Sequence, residues 1–143
     1  KAALMEQSVL IPTDRPVIHL TISECDKLSE LAFNAQKRHP QASAMLLAEL
    51  DRAELHQDGK LPDQTVAMNS TIEFIDEGNG TQRVVQLVYP HEADISSGRI
   101  SILTPVGAGL IGMTAGSSIC WPARDGQERI LRIVNVQPSE NTD

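Results

Sequence analysis

The stretch "RISILTPVGAGLIGMTAGSSICWP", residues 99–122, decides between two folds for this chain of 143 residues. It contains GAGLIG, a G-x-G-x-x-G pattern that binds a dinucleotide when a strand, a turn and a long helix follow one another over about 30 residues. Here about two helical turns separate Gly107 from Gly116, and the next apolar run then begins. The stretch therefore predicts strand, short helix, strand, and no nucleotide site.

The proposed short helix has recognisable ends. Pro105 suits a first helical position, and Gly116 can terminate the turn that follows. Leu110, Ile111 and Met113 are expected to cover the open side of a sheet. The glycines then serve close packing.

Segments rich in Val and Ile surround this helix and alternate with Gly, Pro, Asn and Asp, which is typical of short strands. They predict five strands, over residues 66–76, 83–90, 99–105, 117–122 and 129–137. "DEGNG", residues 76–80, is a hairpin turn signal between the first two. Because the spacing leaves no room for crossover helices, we expect a mainly antiparallel sheet.

The N-terminal half has a helical period from Thr21 to about Gln57. Thr21 and Glu24 form a capping box, and Pro40 ends the first helix near His39. Two apolar stripes predict an antiparallel hairpin with arms of about 22 Å, formed by Cys25, Leu28, Leu31, Ala32 and Ala35, then Ala42, Met45, Leu46, Leu50 and Ala53. Glu24 and Glu49 are expected to face water.

The fold class predicted from these patterns is α+β. A lead segment over residues 1–20 precedes a hairpin over 21–61, and a sheet domain with one short helix occupies 62–143.

Charge and composition exclude several classes of function. The net charge of −7 and the pI near 5.0 argue against sustained direct nucleic-acid binding. No apolar run approaches the roughly 20 residues that span a membrane, and the opening residues lack the features of a signal peptide, so we expect a cytoplasmic protein. Cys25 and Cys120 match no paired motif, and each is expected to be a small buried side chain.

The sequence gives only weak signals for catalytic or metal-binding residues. The four histidines, His19, His39, His56 and His91, show no metal-ligand spacing, so each is expected to be a surface or internally satisfied residue. Ser101, Ser117 and Ser118 lie in no nucleophile motif. We expect no catalytic residue, no metal and no cofactor.

A set of segments carries a family resemblance. "LLAELDRAEL", "VAMNSTIEF", "QLVYP", "TPVGAGLIGMTAG" and "VNVQPSE" together resemble the family of regulators of nucleoside diphosphate kinase, within the Gre transcript-cleavage factor superfamily. The resemblance spans residues 16–140. It implies a short antiparallel coiled coil joined to an FKBP-like domain, and binding to bacterial RNA polymerase near the entrance of its secondary channel.

The resemblance also suggests a partner-binding loop. Thr104, Pro105, Val106 and Gly107 match the Ser-Pro-Ile/Leu-Gly element with which Gre factors grip a coiled-coil rim of the polymerase. Leu103 and Ser117 stand where the family often has Asp, which argues against anchoring by charge. The alternative is that the loop merely shapes a strand-to-helix corner.

The hairpin tip bears on catalysis. In Gre factors it carries acidic residues that coordinate the second metal of a cleavage site. Here it consists of Lys37, Arg38 and His39, which offer no carboxylate and otherwise form a solvated loop. We therefore expect a non-enzymatic factor that occupies the channel mouth and excludes longer-armed factors.

Two alternatives to this function remain at the sequence level. One is a Gre-type cleavage factor, despite the basic tip. The other is an FKBP-like prolyl isomerase, which needs an aromatic-lined pocket. Outside the hairpin the chain offers only Phe74, Tyr89 and Trp121 for such a pocket.

Overall fold

The computed structural model describes residues 16–122 and 128–138, and for 119–122 and 128–129 it describes the backbone alone. Most of the proposed lead segment and the side chains of Cys120 and Trp121 lie outside this description. The elements are β1 (His19–Thr21), α1 (Ile22–Asn34), α2 (Pro40–Arg52), β2 (Glu54–His56), β3 (Thr71–Asp76), β4 (Thr81–Val88), β5 (Arg99–Ser101), α3 (Pro105–Leu110), β6 (Ser118–Pro122) and β7 (Glu128–Gln137). The α+β class is confirmed.

The two N-terminal helices begin where local sequence signals place them. Thr21 caps α1 by accepting a hydrogen bond from the Glu24 amide at 3.1 Å, and Pro40 is the first residue of α2. The first helix ends at Asn34, earlier than predicted, and the His39 amide closes the turn on the Ala35 carbonyl at 2.8 Å. Each helix has 13 residues, so the arms are about 20 Å long.

The prediction that the second helix continues to Gln57 is wrong. The helix ends at Arg52, Ala53 is extended, and Glu54–His56 forms β2, which pairs in parallel with β1. The Glu54 amide donates to the Ile18 carbonyl at 2.9 Å. Backbone pairing with β1, which lies 35 residues earlier in the chain, therefore outweighs the local helical propensity of this segment.

Two glutamates expected to face water are instead part of the interior. The Glu24 carboxylate accepts a hydrogen bond from the Met68 amide at 3.2 Å, so the predicted capping box is only half formed. Glu49 is 5% exposed, and its carboxylate is paired with Arg52 at 2.9 Å. A buried carboxylate requires such partners because it has lost its hydration.

The main sheet has the strand order β5-β4-β3-β7-β6. The β3–β4, β3–β7 and β6–β7 pairs are antiparallel as predicted, with the predicted turn between β3 and β4. The β4–β5 pair is parallel, which corrects the prediction at one edge. Two short 3₁₀ turns, Pro90–Glu92 and Ile95–Ser97, carry the chain back along the sheet without a crossover helix.

The segment around α3 crosses one face of this sheet. It must do so because β5 and β6, which it connects, lie at opposite edges. Leu110, Ile111 and Met113 are completely buried, as expected. The helix lies so close to β5 that a Cβ on Gly107 would overlap the Ser101 carbonyl oxygen and lie 2.9 Å from the Ile102 Cα. Close packing therefore accounts for this glycine.

The hairpin and the sheet share one hydrophobic core. Both predicted helical stripes face it: Leu28, Ala32, Ala35, Ala42, Leu46 and Leu50 are buried, while Cys25, Leu31, Met45 and Ala53 are partly buried. From the sheet, Ile72, Leu87 and Ile133 join the same cluster. No helix in the described part of the chain combines the length and apolar character needed to cross a bilayer.

Candidate functional site

The predicted partner-binding loop is a rigid corner between β5 and α3. The Thr104 hydroxyl accepts a hydrogen bond from the Gly107 amide at 3.0 Å and donates one to the Ser101 carbonyl at 2.7 Å. Thr104 is thus the N-cap of α3, and Gly107 is buried by packing. These two residues shape the corner. Pro105 is its exposed side chain, and Val106 packs partly against the hydrophobic core.

Pro105 is exposed, and Val106 is partly buried at the edge of a cavity of about 400 Å³. The cavity lies on the same face of the sheet that α3 covers elsewhere. Its lining consists of Phe74, Asp76, Asn79, Thr81, Arg83, Val85, Ile100, Val106 and Leu131. Two of these residues were candidates from the sequence: Val106 as part of the partner-binding loop, and Phe74 as an aromatic residue for an isomerase pocket.

Strand alternation explains why the cavity lining is mixed. Phe74 and Asp76 share the inner face of β3, and Arg83 lies directly opposite Phe74 on β4. Val85, two residues further along β4, is on the same face and 5% exposed. The floor is therefore apolar at Phe74 and Val85, and it also contains the buried carboxylate of Asp76, which accepts a hydrogen bond from the Gly78 amide. The exposed Arg83 provides a cation at the rim. Such a surface suits an apolar side chain of a protein partner with a carboxylate nearby.

The two positions where the family often has Asp have structural roles in this chain. Leu103 is 7% exposed and belongs to the hydrophobic core. The Ser117 hydroxyl lies 3.2 Å from the Thr114 hydroxyl in the turn before β6. These positions therefore present no anionic charge beside the loop.

The predicted hairpin tip is a separate surface. Lys37, Arg38 and His39 are all exposed in the turn between α1 and α2. In the described part of the chain, no hydrogen bond or ion pair joins these residues to the loop over 104–107. Phe33, 67% exposed in the last turn of α1, adds an apolar side chain near the tip that sequence analysis did not select.

A third group of side chains was not expected from the sequence. His19, Glu54 and His56 converge on one side of the β1–β2 pair, and one ligand atom from each lies within 4.8 Å of the others. Residues two apart share a face in a strand but not in a helix. Because a helix was predicted over Glu54–His56, these side chains were not expected to lie together. His39 and His91 are exposed, in agreement with their predicted surface positions.

Buried ionisable groups lie between the hairpin and the sheet. Burial raises the pKa of the Glu24 carboxyl, against the lowering effect of its hydrogen bond from Met68. Burial also raises the pKa of Tyr89, and the negative charges of Glu24 and Glu92 add to this rise. No catalytic partner arrangement is required to explain these shifts, since desolvation is the largest cause of each.

Comparisons with known proteins place this geometry in a family. Residues 61–138 match the family described as "Transcription elongation factor, GreA/GreB, C-term". The chain is 31% identical over 123 residues to a regulator of nucleoside diphosphate kinase from Escherichia coli (strain K12), covering 86% of this chain and 90% of that relative. It is 34% identical to the transcription elongation factor GreA of Rhodospirillum rubrum, over 86% of this chain and 83% of the relative.

A solved structure agrees with the sequence matches. The prokaryotic transcription elongation factor GreA/GreB from Nitrosomonas europaea is 35% identical and superimposes with a TM-score of 0.71. The match covers 87% of this chain and all of that structure. Together with the family match over 61–138, these relatives confirm the resemblance seen in the sequence, and the chain belongs to the GreA/GreB family of transcription elongation factors.

Proposed function

We propose that this chain is a transcription regulator that binds bacterial RNA polymerase in the cytoplasm. It occupies the entrance of the secondary channel and competes there with Gre-type factors, without stimulating transcript cleavage. Membership of the GreA/GreB family supports the kind of partner. The seven candidate residues, at the loop and the hairpin tip, supply the more detailed argument.

The observation that carries the proposal is the corner formed by Pro105 and Val106. Thr104 and Gly107 hold this corner rigid, so that little conformational entropy is lost when a partner binds. The adjacent cavity offers apolar side chains, the Arg83 cation and the buried carboxylate of Asp76. A coiled-coil rim of the polymerase, with alternating apolar and charged side chains, has the chemistry to fit both.

The hairpin is proposed to fill space in the channel mouth without taking part in catalysis. Its arms of 13 residues extend about 20 Å, and its tip carries Lys37, Arg38 and His39. Coordination of a catalytic Mg²⁺ needs oxygen ligands such as carboxylates, which this tip lacks. On this proposal the protein is not an enzyme, and it needs no cofactor or resident metal for activity.

We assign residues 21–61 to a coiled-coil-like hairpin and 62–143 to an FKBP-like domain that supplies most of the binding energy. Residues 1–20 would then be a lead segment. This division predicts that loop substitutions weaken binding more than tip substitutions do.

The alternative function that follows from the FKBP-like assignment is a prolyl isomerase. Among the described residues that line the cavity, Phe74 is the one aromatic residue. Isomerase pockets of this type depend on several aromatic walls. Binding to a protein surface therefore accounts better for this lining than turnover of a proline peptide.

The test uses the full chain with purified bacterial polymerase. Direct binding is measured first, and the protein is then added to backtracked elongation complexes. The RNA should stay intact, cleavage stimulated by a longer-armed Gre factor should fall, and excess Gre factor should restore it. A proline-peptide assay run in parallel should show no turnover.

Three results would contradict the proposal. If the chain does not bind the polymerase, the proposed partner is wrong. Metal-dependent shortening of the transcript by the chain alone would make it a cleavage factor. Turnover of the peptide that disappears in Phe74→Ala would favour an isomerase.

A further inference from the structure

The strands at the base of the hairpin bring three metal-ligating side chains together. His19 lies directly opposite Glu54 in the parallel β1–β2 pair, and His56 lies opposite Thr21. Because alternate residues of a strand share a face, Glu54 and His56 point to the same side, which is also the side of His19. Leu20 points to the other side and is completely buried.

The ligand atoms of these three residues lie within 4.8 Å of one another. His19 Nδ1 lies 3.0 Å from His56 Nε2 and 3.3 Å from Glu54 Oε1. A proton on His19 Nδ1 would have to be shared between two acceptors. A proton on His56 Nε2 would instead leave the Glu54 oxygen facing a bare nitrogen. Neither tautomer gives each close contact its own proton.

A single cation resolves this conflict, because it attracts all three lone pairs. Two imidazole nitrogens and a carboxylate oxygen are ligands preferred by Zn²⁺ and other late divalent transition metals. Zinc bonds of about 2.0–2.1 Å in a tetrahedron place neighbouring ligand atoms about 3.3 Å apart. The two close separations, 3.0 and 3.3 Å, approach that spacing.

The accessibility of the cluster also suits an ion. The side chain of His19 is 20% exposed and that of Glu54 is 60% exposed, so an ion can enter from solvent. The exposed carboxylate can rotate to complete the site. A water molecule or a group from a partner can take the fourth position, as in zinc sites with three protein ligands.

We infer that His19, Glu54 and His56 bind a divalent transition-metal ion of the zinc class, which clamps the base of the helical hairpin. The site is distinct from the hairpin tip and from the loop over 104–107. It does not depend on the proposed function.

The position of the site indicates what the ion would do. β1 leads into α1 and β2 follows α2, so an ion between them joins the two ends of the hairpin. The His19 amide also donates to the Gly112 carbonyl at 2.9 Å, which ties β1 to the turn after α3. The ion would therefore hold the hairpin base against the sheet domain. Binding to the folded state alone would raise thermal stability by mass action.

The experiment uses the untagged full chain after treatment with EDTA and dialysis. ZnCl₂ is titrated calorimetrically, and CoCl₂ is added separately to record the visible absorption of four-coordinate Co²⁺. One equivalent should bind per chain, and excess Zn²⁺ should raise the melting temperature. His56→Gln and His19→Gln should each weaken binding at least tenfold and abolish most of the shift.

Matched controls use the two histidines outside the cluster. His39→Gln and His91→Gln should bind Zn²⁺ like the unsubstituted chain, and circular dichroism should show that every variant is folded. Glu54→Gln, at an exposed position, provides a second test that does not disturb a partly buried histidine. The inference is overturned if the chain binds no Zn²⁺ at a concentration on the order of 100 μM. It is also overturned if folded variants of the cluster bind as tightly as the controls.

Discussion

The carboxylate of Glu24 accepts a hydrogen bond from the backbone amide of Met68, with an oxygen-to-nitrogen distance of 3.2 Å. This contact joins the first turn of α1 to the segment before β3. Within the described part of the chain, the other carboxylate oxygen of Glu24 is buried without a hydrogen-bond partner. The link between hairpin and sheet therefore includes a carboxylate that is only half satisfied.

The first prediction concerns the pH dependence of this link. Burial raises the pKa of Glu24 above its ordinary value of 4.5, so the folded state binds a proton more tightly than the unfolded state. The contribution of Glu24 to the free energy of unfolding is therefore greatest below pH 4.5 and falls as pH rises through the folded pKa. Glu24→Gln should remove this fall. The stability of the variant relative to the unsubstituted chain should increase between pH 4 and pH 8 in urea unfolding experiments.

Glu30→Gln is the matched control, because Glu30 is an exposed glutamate of the same helix. Its difference from the unsubstituted chain should change little over the same pH range. A Glu24→Gln difference that is independent of pH would show that desolvation of Glu24 does not limit stability.

The second prediction concerns the corner formed by Pro105 and Val106. The double substitution Pro105→Ala, Val106→Asp removes a shaped apolar contact and places a charge beside the cavity. Polymerase binding should weaken by on the order of 2 kcal/mol, which is about thirtyfold in the dissociation constant. Val84→Asp is the control: Val84 is 58% exposed on the opposite face of β4 from Arg83 and Val85. Equal affinity for the double variant and the control would exclude the corner as the binding surface.

The third prediction separates packing from recognition at Gly107. Gly107→Ala would drive a methyl group into the Ser101 carbonyl and the Ile102 backbone. The free energy of unfolding should fall by about 3 kcal/mol, as expected for overpacking against a backbone that cannot move aside. Gly78→Ala, whose Cβ would meet only the Asp76 carboxylate at 3.3 Å, should change stability by about 0.5 kcal/mol. Chemical denaturation of both variants measures the difference, and similar losses would refute the packing role.

The fourth prediction concerns the length and charge of the hairpin. Lys37→Asp combined with Arg38→Asp supplies two carboxylates at the tip but leaves the arms at about 20 Å. We expect no metal-dependent shortening of RNA in backtracked complexes, because the added ligands stop short of the catalytic metal. Polymerase binding should remain within about threefold, since exposed charges each contribute little. Cleavage by this variant would show that the missing carboxylates, and not the reach, prevent catalysis.

The sequence by itself determined the features that depend on near neighbours. Thr21 begins α1 and Pro40 begins α2 because capping and proline geometry act within one helical turn. The same reasoning placed Pro105 at the start of α3. The segments rich in Val and Ile located all five strands of the main sheet. The partner-binding loop was also selected from sequence, through its family resemblance.

Tertiary structure alone decided the features that depend on residues distant in the chain. Glu54–His56 is a strand because β1 offers it backbone partners, and β5 is parallel because two 3₁₀ turns reverse the path of the chain. The Glu24 carboxylate accepts its hydrogen bond from the Met68 amide, which is 44 residues away. Local propensity carries no information about such partners.

In the candidate sites, too, the sequence determined some features and the tertiary structure decided others. The sequence indicated the loop over 104–107, but only the fold shows that Thr104 and Gly107 build the corner while Val106 borders the cavity. The cluster of His19, Glu54 and His56 has no sequence signature, because 37 residues separate its two histidines. Its geometry arises when the two strands pair in register, and that register is set by the burial of Leu20 and by backbone hydrogen bonding.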